Sequence, residues 1–241
     1  MKFLSSVLTA ASLALMITAC DSAKKTTDTS PANENLASDI PLLPITKGET
    51  WIYAVHLEIP DGVTSPGAAE VEGKFERVRT YIGKIVPATG LPEVDCFEVS
   101  VPGSPIEREF VDIRDDAILM RGSMIMRPDT VQPMWLDTPV PFVVAGMKAG
   151  SESPEIQAPS GSLSRKTRVV ARESVKVPAG KFPSIRLLMT GIDGELELHR
   201  TIWFAPGIGI VREEKIRYRK GKVIFYERQD LTKTSVASGN R

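Results

Sequence analysis

From Trp51 to Ile59 apolar and polar positions alternate. Trp51, Tyr53, Val55, Leu57 and Ile59 fall on one side, with Ile52, Ala54, His56 and Glu58 on the other. Period-two alternation predicts a strand with one firmly apolar face, and Pro60-Asp61-Gly62 ends it. The rhythm recurs over 72–86, 93–101 and 106–114, and Asp115-Asp116 turns the chain into a further strand over Ala117–Arg127. It resumes after 163 through Ile185, Leu187 and Met189, a turn at Gly191-Ile192-Asp193-Gly194, then Leu196, Leu198, Ile202 and Phe204. Beyond Pro206-Gly207-Ile208-Gly209, the positions Val211, Glu213, Lys215, Arg217 and Arg219 form a polar face opposite Ile210, Ile216 and Tyr218. Lys220-Gly221-Lys222 closes a last hairpin into Val223–Glu227. About ten antiparallel strands without an amphipathic helix define an all-β chain. Clean apolar faces opposite solvated ones fit a curved antiparallel sheet or half-barrel. A β-sandwich is the alternative.

Two stretches stand out against this pattern. Residues 128–162 carry prolines at 128, 133, 139, 141, 154 and 159, which predicts a long connection rather than a strand. Trp135 within it either caps the core or belongs to a lid or partner patch. In Ala117–Arg127, alternation puts Ile118, Met120, Met124 and Met126 on one face, with Gly122 between. Methionines there either fill irregular core gaps or line an adaptable hydrophobic site.

Ahead of the sheet, Lys2 precedes an apolar run through Ile17, too short for a stable transmembrane helix and suited to a secretory signal. The ending Ile17-Thr18-Ala19-Cys20 resembles the lipobox of bacterial lipoproteins. The resemblance implies cleavage before Cys20, diacylglycerol on its sulfur and usually acylation of the new amine; two or three acyl chains anchor stably where one does not. Asp21 follows the lipidated position, and the choice between inner and outer membrane stays open. The expected plan is a signal peptide over 1–19, lipidated Cys20 and a polar tether to residue 40, a β domain over 41–232, and a loose tail over 233–241.

Charge and chemistry narrow the functions. Lys plus Arg and Asp plus Glu number 30 each in 241 residues, so no net field favours nucleic acid. The second of two cysteines, Cys96, sits in a predicted strand and is expected as a buried structural thiol. Gly207-Ile208-Gly209 begins a dinucleotide-like pattern, but Arg212 replaces the third glycine and no helix follows. His56 and His199 are isolated, and Asp112, Asp115 and Asp116 lack calcium-loop spacing. No catalytic residue, cofactor or metal site is expected.

Val175-Lys176-Val177-Pro178-Ala179-Gly180-Lys181-Phe182, followed by Trp203-Phe204-Ala205-Pro206-Gly207-Ile208-Gly209-Ile210-Val211, is similar to a signature of an uncharacterised class of bacterial secreted proteins and lipoproteins. Lys47-Gly48-Glu49-Thr50-Trp51 resembles the approach to that class's first strand. The resemblance implies a curved antiparallel half-barrel, like the LolA/LolB type of periplasmic lipoprotein carrier in fold alone. The resulting expectation is a non-catalytic cell-envelope lipoprotein, held at a membrane by its N-terminal lipid, that binds a hydrophobic small molecule or an envelope protein. Trp51, Tyr53, Met120, Met124, Met126 and Trp135 are its candidate lining residues. The alternatives are an assembly factor with a packed sheet and, more remotely, an envelope hydrolase.

Overall fold

The computed structural model of the chain describes residues 41–60, 73–127, 133–153, 155–157 and 163–236. Cys20 and the expected signal and tether lie outside them. Twelve strands follow in order: β1 Thr50–Glu58, β2 Gly73–Ile85, β3 Val94–Ser100, β4 Glu107–Ile113, β5 Ala117–Ile125, β6 Met134–Val144, β7 Ile156–Gln157, β8 Leu163–Val177, β9 Gly180–Asp193, β10 Leu196–Ala205, β11 Gly209–Arg219 and β12 Lys222–Thr234. They make one antiparallel sheet in the order β6-β5-β4-β3-β2-β1-β12-β11-β10-β9-β8-β7. Every strand pairs with its neighbours in sequence except β6 and β7, which stand at opposite edges of the sheet, and β1 pairs with β12, so hairpins build two meanders joined through the first and last strands.

The sheet curls until its halves meet. Phe142 of β6 packs edge-on against Phe204 of β10, with ring centroids 6.3 Å apart. The chain leaving β6 closes the remaining gap, because residues 150–153 lie along the free edge of β8. Gly150 N donates to Val169 O (2.8 Å), Val169 N to Ser151 O (2.8 Å) and Ser153 N to Thr167 O (2.7 Å). Arg172 Nη2 adds a bond to Met147 O at 2.7 Å. A long edge that would invite pairing with another chain is thereby covered.

One end of this half-barrel is closed by packing. The turn after β8 folds inward, Ala179 N donating to Leu231 O of β12 (3.0 Å), and Gly207 N in the turn after β10 donates to Leu42 O (3.0 Å). Trp51 Nε1 donates to Ile208 O at 2.6 Å and Tyr53 Oη to Ile210 O at 3.0 Å. Gly209 has φ +105°, and a Cβ there would stand 3.2 Å from Leu43 Cδ1 and 3.4 Å from Trp51 Nε1. The Pro-Ala-Gly and Ala-Pro-Gly-Ile-Gly segments thus build the plug of the closed end. Leu187, Ile202 and Phe204 complete it, all essentially inaccessible to solvent; each contributes about 1.5–3 kcal/mol by leaving water.

Four expectations change. Met134–Val144 is a strand, not a connection. Its Pro139 and Pro141 are tolerated because β6 is an edge strand, with pairing only to β5 and register shifts along it. The methionines of β5 do not share a face. A bulge where Met120 pairs Val111 and Gly122 pairs Phe110 sends Met120 to the main core and Met124 to a separate cluster with Cys96, Phe110 and Trp135. The polar face of β11 is not solvated: Glu213 is only 2% exposed, and it points into the half-barrel. Finally, β12 runs two residues beyond the expected boundary at 232, with Lys233 opposite Ile52 and Thr234 opposite Trp51.

Candidate functional site

Above the plug the half-barrel interior becomes charged. From β2 come Arg77 and Arg79, from β4 Glu107 and Glu109, from β10 Arg200, from β11 Glu213 and Lys215, and from β12 Glu227 and Gln229. The antiparallel register stacks them at neighbouring levels: Arg200 lies opposite Lys215, Glu213 opposite Gln229 and Lys215 opposite Glu227. Arg77 reaches over β1 to Glu227 with two parallel bonds, Nη1–Oε1 at 2.8 Å and Nη2–Oε2 at 2.7 Å. The same Nη1 also donates to Gln229 Oε1 at 2.7 Å. Gln229 passes the chain on, Nε2 to Glu213 Oε2 at 2.7 Å, and Arg200 Nε takes the other oxygen of Glu213 at 2.5 Å. Lys215 bridges the two carboxylates, at 3.0 Å from Glu227 and 3.4 Å from Glu213.

Arg79 crosses the opposite way. Its Nε donates to Glu109 Oε2 at 2.8 Å, over β3, and its guanidinium carbon sits 3.6 Å from the Phe97 ring centroid. A stacked, desolvated cation of this kind is worth on the order of 2 kcal/mol. Burial opposes ionisation of Glu213, but Arg200 and Lys215 outweigh it and hold the carboxyl down to about 2. Glu227, buried likewise, is held lower by Lys215 and Arg77. For Glu109 the cost of burial is offset by Arg79 and Arg200, which bring it below the ordinary range. Glu107, near the mouth, is pushed up by burial and then by its neighbour Glu109. Burial raises the Tyr53 hydroxyl, which therefore stays a neutral donor to Ile210.

These side chains surround a chamber of about 260 Å³. A second cavity of about 20 Å³ lies deeper, in the plug, and Arg79, Glu109, Arg200 and Ile210 line both. They form the floor between a water-sized apolar void and a roomy polar chamber. Leu57, Phe75, Val99, Val101 and Ile125 add apolar wall, and Gly103-Ser104-Pro105 stands at the mouth. The mouth itself is greasy. Ile106, Ile125, Met126, Met134, Ile192 and Val223 are all exposed, and each sits at the strand ends or turns on the open side.

The six candidate lining residues do not come together. Trp51 is buried in the plug and Tyr53 bridges plug and chamber; Met120 packs in the main core. Met124 and Trp135 lie on the convex face, where Trp135 stacks 6.3 Å from Phe110 and 5.8 Å from the Arg121 guanidinium. Met126 is at the rim, 37% exposed. The charged lining residues were missed because an inward row of ion pairs has the same sequence pattern as a solvated face. Their available signal was alternation: Glu213, Lys215 and Arg217 continue the inward parity of the strand.

Elsewhere, His56 pairs with Glu58 (2.6 Å) and His199 with Glu197 (2.8 Å) outside the barrel. Cys96 is a buried free thiol whose pKa burial pushes up to about 12. Among the described residues no group of three or more His, Cys, Asp or Glu is placed to hold a metal ion.

No protein-family model matches the chain, and no curated protein does. Two solved structures are similar to it. One is a candidate exported protein with a YmcC-like fold from Bacteroides fragilis NCTC 9343, at 15% identity and a TM-score of 0.48, over 81% of this chain and 99% of that one. The other is a candidate lipoprotein from Parabacteroides distasonis ATCC 8503, at 12% identity and a TM-score of 0.44, again over 81% of this chain and 99% of that one.

Proposed function

We propose that the protein is a non-catalytic, lipid-anchored cell-envelope lipoprotein that binds a small molecule in the chamber at the open end of its half-barrel. The chamber carries this reading. A folded β domain ordinarily fills its interior, as this one does at the closed end, yet above Arg79 and Arg200 it keeps about 260 Å³ open and lined by charge. That volume lies just under the range of about 300–1,000 Å³ common to ligand sites. Arg77, Arg79, Arg200 and Lys215 are paired with Glu109, Glu213 and Glu227, and no nucleophile and base stand together among them, which supports binding over catalysis. Its polar lining favours a ligand with a charged group over the wholly apolar one expected from the strand pattern. The anchor rests on the lipobox ending at Cys20.

Two measurements on the full chain test the two halves. Growth with an alkyne fatty acid labels the wild-type chain and not Cys20→Ala; equal labelling of both contradicts the anchor. Solvent extraction of protein purified from membranes yields a bound small molecule from the wild type and far less from Val101→Trp, which fills the chamber. No recovered molecule, or equal recovery from both, contradicts the site.

A further inference from the structure

The chamber has a sign, a mouth and a size. Five basic side chains, Arg77, Arg79, Arg127, Arg200 and Lys215, line it against four acidic ones. Pairing does not exhaust the basic groups. Arg79 and Arg200 each engage a carboxylate through Nε alone. No acceptor for their terminal nitrogens stands among the described residues, and both side chains line the chamber. Two forked donors at the floor of one cavity suit an anion with several oxygens, such as a phosphate ester.

Exposed apolar side chains lie at the strand ends on the open side, and one of them, Ile125, is also chamber wall. A charged floor beneath a greasy rim is the reverse of a carrier that swallows acyl chains and leaves the head in water. It fits a molecule entering head first, with its apolar portion at the rim. At about 260 Å³ the chamber holds a head and not a pair of long chains.

Resting on the reading that the chamber is a ligand site, we propose that it takes the anionic head of a membrane lipid, with Arg79 and Arg200 on the head and Ile125 on the first carbons of the chains. The same rim would then meet the bilayer surface from which the lipid is drawn. Clustered exposed apolar groups at a membrane face are stabilised where they would be a liability in water.

The test is a titration of the full chain with three soluble probes: dihexanoyl phosphatidylglycerol, dihexanoyl phosphatidylcholine and glycerol 3-phosphate. The anionic lipid should bind about tenfold or more tighter than either of the others. Ile125→Ser should weaken the anionic lipid by about fivefold while leaving glycerol 3-phosphate unchanged; Arg127→Gln should weaken both by similar factors. Both side chains are exposed, so neither change threatens folding. Equal affinity for the two lipids overturns the proposal. So does glycerol 3-phosphate binding as tightly as the lipid, which marks a free phosphate-ester site, and so does absence of binding. The failures are separable. A neutral or cationic molecule extracted from the wild type would leave the chamber a ligand site and remove only the anionic lipid, whereas an empty chamber would remove both.

Discussion

Arg77 and Glu227 form a two-pronged ion pair inside the half-barrel, 2.8 and 2.7 Å at its two bonds, although a whole strand separates β2 from β12. The pair spans the junction of the two meanders, where the first and last strands of the described sheet meet. It therefore ties together segments 150 residues apart. Removing one partner leaves a charge in a place that water reaches poorly. Glu227→Leu is expected to cost about 3–5 kcal/mol, while replacing both, Arg77→Met with Glu227→Leu, costs less than the sum of the two single changes. Equilibrium denaturation of the four chains of this cycle checks it.

Glu213 sets an acid limit. Its carboxyl is held down to about 2 in the folded chain, against an ordinary 4.5. The unfolded chain thus takes up the proton first as pH falls, so stability from this group is complete above about pH 4.5 and gone below about pH 2. Its size is on the order of 3 kcal/mol. Glu227, shifted the same way from the same ordinary value, adds loss throughout that window. Denaturant midpoints measured from pH 6 down to pH 2 should fall steeply, and Glu213→Gln should show a shallower slope by about one proton.

The bulge in β5 is fixed by Gly122. Its φ is +152°, and a Cβ there would lie 2.0 Å from the Met134 carbonyl oxygen. Gly122→Ala is expected to cost several kcal/mol, roughly the range of strained backbone plus a backbone clash. By contrast Gly194→Ala, at φ +59° with open space around it, should cost only about 1 kcal/mol. Thermal unfolding of the two variants ranks them.

Cys96 is shut away. It is fully buried beside Phe110, and burial raises its thiol to about 12. At pH 8 a thiol reagent should leave the folded chain unlabelled at this position and modify it quickly once denaturant is added; labelling requires the thiolate and access. Fast labelling of the native chain would contradict the outer cluster in which Cys96, Phe110 and Trp135 meet.

The strands were legible in the sequence wherever one face is apolar throughout. Trp51, Tyr53, Val55 and Leu57 alternate because their side chains all enter the core, and period two survives intact. The signature turns were legible too, as punctuation by Pro178, Gly180, Pro206 and Gly209. Three features were hidden for physical reasons. A single extra residue, Arg121, reverses the facing of everything beyond it, so Met120 and Met124 share a parity and not a surface. Pro139 and Pro141 imitate a loop, because sequence does not reveal that β6 is an edge. Above all, Glu213, Lys215, Arg77 and Glu227 are inward residues that neutralise one another. Hydropathy distinguishes core from surface only when the core is apolar, and here Glu213, Glu227 and Gln229 are buried inside it. The candidate site therefore lies among arginines and glutamates and not among the aromatic and methionine side chains to which alternation points.

The most direct measurement is a crystal structure of the full chain isolated from its own membranes without added ligand. The account predicts electron density in the chamber that belongs to a small molecule, with polar atoms in hydrogen-bond reach of the terminal nitrogens of Arg79 and Arg200. A chamber collapsed onto itself, or one holding only ordered water bonded to those arginines, would contradict it.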